Sequence, residues 1–128
     1  MSSPVLTYDL VTEPRGGFLF ARLRTVALTP DVIGPLLQEL RAAMLDARLS
    51  RLLVEYEVAF ALTEHEALEF TNKIMDVLSG MRIAFVAANS KHAPSLRFGT
   101  AVAGFAREDH RFFTDVALAE EWLHDESA

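Results

Sequence analysis

Ile83-Ala84-Phe85-Val86-Ala87-Ala88 has no polar side chain at any position, and this run constrains the possible folds more than any other stretch of the chain. A strand with one wet face alternates polar and apolar residues, whereas a strand that is apolar on both sides must be covered on both faces. A helix pattern precedes the run, with Ser79-Gly80 as a left-handed stop between them, and a second helix pattern follows it. Helix, buried strand and helix in succession imply parallel strands joined by right-handed crossovers.

The rest of the chain fits around that unit. Val5 to Thr12 alternates with Leu6, Tyr8 and Leu10 on one side, and Phe18 to Thr25 alternates with Leu19, Ala21 and Leu23 on one side. Glu13-Pro14-Arg15-Gly16-Gly17 between them is turn chemistry and predicts an antiparallel hairpin. Thr29-Pro30-Asp31 supplies a hydroxyl N-cap, a proline at the first helical position and a first-turn acid. Ile33, Leu37, Leu40, Met44 and Ala47 then recur at helical spacing. Gly34-Pro35 is awkward there, because proline has no N–H for the carbonyl four residues back; the helix either bends or begins again at Pro35.

Leu52 to Tyr56 reads as a buried strand running into an irregular stretch, Glu57 to Leu62. Thr63-Glu64-His65-Glu66 fits a capping box that opens a helix with Ala67, Phe70, Ile74 and Val77 on its apolar stripe. After Ala88, Asn89 to Pro94 reads as a loop and Ser95 to about Arg107 as a third helix. Arg111 to Thr114 is a short last strand, and Asp115 caps a closing helix carrying Leu118, Ala119, Trp122 and Leu123. The expected fold is a single α/β domain over residues 1–128, with a mixed sheet of about five strands in the order β-β-α-β-α-β-α-β-α.

That order, with Arg111-Phe112-Phe113-Thr114-Asp115 followed by Ala119-Glu120-Glu121-Trp122-Leu123, resembles the small bacterial SpoIIAA-like proteins. These belong with the STAS domains of sulphate transporters and anti-sigma factor antagonists, and some carry the label of CRAL-TRIO lipid carriers. The resemblance spans nearly the whole chain and implies a STAS-like fold. In the antagonists, a serine of an Asp-Ser-Ser-Gly motif at the start of the second helix is phosphorylated to switch partner binding. The nearest positions here are Leu62-Thr63-Glu64-His65, where Thr63 alone brings a hydroxyl. Glu64 and Glu66 would repel an added phosphate, and a capping role accounts for Thr63.

Composition removes whole classes of function. The formal net charge of -6, spread along the chain, disfavours nucleic acid and anionic membrane surfaces. The longest apolar run falls far short of the roughly 20 residues that span a bilayer. Without cysteine there is no disulfide, thiolate nucleophile or cysteine-held metal. The first residues carry neither the basic region nor the apolar stretch of a secretory signal, so a cytoplasmic location is expected.

In open α/β sheets, ligands collect beyond the carboxyl ends of parallel strands. This puts Val58 to His65 and Asn89 to Ser95 at one end, where Thr63, His65, Asn89, Ser90, Lys91 and His92 converge if the two strands are neighbours. Lys91-His92 beside a helix N-terminus suits an anionic group, and the plain alternative is a solvated loop. His65-Glu66-Ala67-Leu68-Glu69 has the outline of a zinc-protease helix with glutamate in place of the second histidine. No Gly-x-Ser-x-Gly elbow is present, and Gly16-Gly17 joins two strands rather than a strand to a phosphate-binding helix.

The third helix carries Phe98, Val102 and Phe105 next to a small-residue face of Gly99, Ala103 and Ala106. Such an arc is either covered by the closing helix or offered to a ligand or partner. Phe18 and Phe20 pose the same question on the hairpin, where Arg22 and Arg24 continue their side, so that face is expected to be covered only near the turn. The expected function is a non-enzymatic, homodimeric interaction domain without cofactor or metal, binding a protein partner or small apolar ligand through Phe98, Val102 and Phe105. A lipid or acyl-chain carrier is the alternative, and an enzyme using His65, Glu66, Ser90 or His92 is a third reading.

Overall fold

The computed structural model describes residues 8–25, 30–58, 63–87 and 109–125. The loop expected at Asn89 to Pro94 and the helix at Ser95 to Arg107 lie outside them. The hairpin consists of β1 (Tyr8–Arg15) and β2 (Phe18–Thr25). Gly16 and Gly17 both have positive φ, 46° and 96°, which is what a two-residue turn between right-twisted strands needs. So tight a turn keeps Glu13, Pro14 and Arg15 in the ladder, opposite Phe20, Leu19 and Phe18, and β1 outruns its expected end at Thr12. Pro14 is tolerated because β1 is an edge strand.

The remaining strands are β3 (Arg51–Val58), β4 (Arg82–Ala87) and β5 (His110–Phe113), and the sheet order is β1-β2-β3-β4-β5. Every pair after the hairpin is parallel. β4 therefore lies inside the sheet, and Ile83 to Ala87 are all at most 4% exposed, as the apolar run requires. β3 is longer than the sequence suggested: Glu57 and Val58 pair with Arg24 and Thr25 instead of starting an irregular stretch. β5 begins one residue early, at His110 opposite Ile83.

Helix α1 (Pro30–Ala47) runs unbroken through Pro35. An interior proline costs about 3 kcal/mol, and α1 offsets it by burying Val32, Ile33, Leu36, Leu37, Leu40 and Met44. Its end is a Schellman motif: Leu49 N–H donates to the Met44 carbonyl at 3.0 Å and Arg48 N–H to that of Leu45 at 3.2 Å. Arg48 takes the left-handed position at φ 57°. Tyr8 Oη donates to Glu39 Oε1 at 2.8 Å, tying the sheet edge to α1. Burial, and then this bond to Glu39, push the Tyr8 phenol up to about 12.

Helix α2 (Glu64–Val77) is followed by Gly80 at φ 79°, the expected left-handed stop. Helix α3 (Val116–His124) starts at Asp115, whose side chain accepts from Ala117 N–H at 2.8 Å. Alternate side chains of the strands face opposite layers. Leu19, Ala21, Leu23, Leu52, Val54, Tyr56, Ile83 and Phe85 meet α1 and α2, whereas Phe18, Phe20, Leu53, Ala84 and Val86 meet Ala119, Trp122 and Leu123 of α3. Leu118, expected on the buried stripe, is 54% exposed; it sits about 100° around the helix from Ala119.

Candidate functional site

β3 and β4 are parallel neighbours in register from Arg51↔Arg82 to Tyr56↔Ala87, so the chain leaves both at the same rim of the sheet. Thr63 and His65, at the start of α2, follow β3 in the chain. Asn89, Ser90, Lys91, His92, Phe98, Val102 and Phe105 lie outside the described residues. Thr63 is exposed and caps α2. Its Oγ1 accepts from Glu66 N–H at 3.2 Å, and Glu66 Oε1 accepts from Thr63 N–H at 2.9 Å. The bond from the Thr63 backbone, then that with its side chain, holds the Glu66 carboxyl below the usual range.

This box yields a two-part expectation. Thr63→Ala should cost about 1 kcal/mol of stability at neutral pH. Glu66→Ala should cost less, with a pH signature. A lowered folded-state value makes the contribution complete above the unfolded glutamate range and removes it as pH falls through the folded value. Urea unfolding of parent and Glu66→Ala should therefore give curves that converge in acid; curves equally spaced at every pH would assign the carboxylate no part in the cap.

His65 Nε2 stands 3.0 Å from Glu69 Oε1 one helical turn on, with side chains 78% and 58% exposed. The metalloprotease-like outline thus forms a surface ion pair when His65 is protonated. Among the described residues no three His, Asp or Glu side chains are grouped to hold a metal.

Three arrangements went unseen in the sequence. A groove of ≈ 540 Å³ lies between α1 and α2, with Ile33, Leu37 and Val77 along its apolar part and Gln38, Asn72 and Asp76 among its polar lining. Gly34 also lines it, and a Cβ added there would meet nothing within 4 Å. At the opposite rim the Arg82 guanidinium sits 4.2 Å from the Trp122 ring and donates to the Asp125 carbonyl at 2.6 Å, with Arg111 5.4 Å from the same ring. On the α3 side of the sheet, Arg22 faces Glu55 at 3.4 Å and Arg24 faces Glu57 at 3.5 Å. Shared parity along β2 and β3 was the sequence signal for the ion pairs, whereas the groove depends on how α1 and α2 meet.

No protein-family model matches the chain, and no curated protein matches it in sequence. In three dimensions it is similar to the crystal structure of an uncharacterised protein of the DUF3478 family with a SpoIIAA-like fold from Shewanella loihica PV-4. The match covers 96% of this chain and 98% of that one, at 18% identity and a TM-score of 0.53. The fold is SpoIIAA-like. The likeness expected from the order of elements thus holds for the architecture, including the antiparallel hairpin and the parallel strands that follow it. In this SpoIIAA-like domain no helix among the described residues is long and apolar enough to cross a membrane.

Proposed function

We propose that this SpoIIAA-like domain is a non-enzymatic interaction module of the cytoplasm, which associates with itself and engages a protein partner or small apolar ligand through Phe98, Val102 and Phe105 together with the residues expected at the carboxyl rim. The observation that carries the reading is how the rim side chains are used. Thr63 Oγ1 and Glu66 Oε1 accept from backbone N–H groups at the start of α2, and the exposed His65 and Glu69 pair with each other. A general base or nucleophile works from a dry site where a neighbour orients it. Side chains arranged as these are suit recognition instead.

An acyl-chain carrier needs an enclosed cavity of roughly 300 Å³ or more. Among the described residues, the apolar space between the sheet and the helices α1 and α2 is ≈ 20 Å³, too small for an acyl chain. Native mass spectrometry of the full chain is the test. The expected spectrum is dominated by twice the 14.2 kDa chain mass, without a lipid adduct. A bare monomer at the highest soluble concentration would remove self-association, and a co-purified lipid mass would replace the interaction module with a carrier.

A further inference from the structure

Parallel strands nearly always lie between two covering layers, and β2 and β3 are a parallel pair in the interior of the sheet. Among the described residues, their cover on the α3 side stops part-way along. Phe18, Phe20 and Leu53 are buried under α3. The next positions on the same face are the side chains of Arg22 and Arg24, 52% and 67% exposed, opposite Glu55 and Glu57, 20% and 40% exposed. Val11, the register partner of Arg22 on β1, is 56% exposed beside them.

Water-exposed ion pairs of this kind contribute about 0–1 kcal/mol each, which is a weak reason to leave a parallel pair uncovered. The charge pattern supplies a better one. β2 offers a positive column and β3 a negative column alongside it. A two-fold rotation about an axis along the strands lays the positive column of one copy over the negative column of the other, so the strip is complementary to itself. Unlike a strip of one sign, it attracts its own copy despite the net charge of -6.

We infer that this strip is the surface through which two copies of the chain associate, β2 arginines of each protomer meeting β3 glutamates of the other and Val11 losing water at the margin. The inference rests on the self-association proposed above and adds the surface that performs it. Salt then weakens the dimer, because the charges that hold it lie near solvent.

The test uses two double variants of the full chain, Arg22→Glu with Arg24→Glu and Glu55→Arg with Glu57→Arg, followed by light scattering after size exclusion. Each variant has a strip of a single sign, and its self-association should weaken roughly tenfold or more. An equimolar mixture should form a one-to-one heterodimer. If like charges side by side unfold a variant, glutamine at all four positions keeps the shape, and that protein should be folded and predominantly monomeric. A dimeric parent whose reversed variants stay equally dimeric, or a mixture that stays as separate monomers, would overturn the surface and leave self-association standing. A monomeric parent would overturn both.

Discussion

Leu53→Asp should abolish the cooperative thermal transition of this domain. Leu53 is 0% exposed at the middle of β3, with Phe20 and Ala84 as its register partners on either side. Its side chain meets the layer of α3. A carboxylate placed there would be buried between Phe20, Ala84 and α3, and burying a polar or charged group in apolar surroundings costs several kcal/mol even after the protein relaxes. The lost apolar contact adds about 2–5 kcal/mol, against a total stability of about 5–15 kcal/mol for an ordinary domain. Calorimetry and near-ultraviolet circular dichroism read the outcome. Glu55→Asp, two positions along the same face where the side chain meets Arg22, should unfold close to the parent. A sharp transition retained in Leu53→Asp would mean that this face of the sheet is open to water.

The second large effect is expected at Trp122. It is the single tryptophan, 7% exposed, and it anchors α3. Phe113 lies 5.7 Å from it between ring centres, and the guanidinium of Arg82 is held over its face. Trp122→Ala should cost about 3–5 kcal/mol, a fall in melting temperature of about 10 °C or more for a chain of this size. Phe18 and Phe20 should gain solvent as α3 loosens, so binding of an apolar dye should rise while far-ultraviolet dichroism changes little. A variant that melts with the parent would show that Ala119 and Leu123 alone hold the helix.

What the sequence disclosed follows the range of the forces involved. Thr63 with Glu66, Gly16-Gly17 and Gly80 act within a few residues, and all three behave as local rules require. Ile83 to Ala87 was legible because burial on both faces leaves no room for a polar residue in the pattern. The reach of β3 to Val58 was not, because Glu57 joins the strand through Arg24, which is distant in the chain and adjacent only once the register is set. α1 passes through Pro35 for a similar reason: the cost is local, and the compensating contacts of Leu36, Leu37 and Leu40 are tertiary. Of the residues expected to converge at the rim, Thr63 caps α2 and His65 pairs with Glu69, while Asn89 to His92 and the Phe98 to Phe105 face fall outside the described residues. The α1–α2 groove needs the crossing of two helices, which no periodicity in either one encodes.

The spatial order of the strands repeats their order in the chain. No strand has to slip between two that are already joined, so each newly made segment can add to an exposed border left by the one before it. A ribosome delivering this polypeptide from its amino end therefore presents the pieces in the order the sheet can accept them. The loop closed at each step stays short, which lowers the entropic toll of building a parallel architecture.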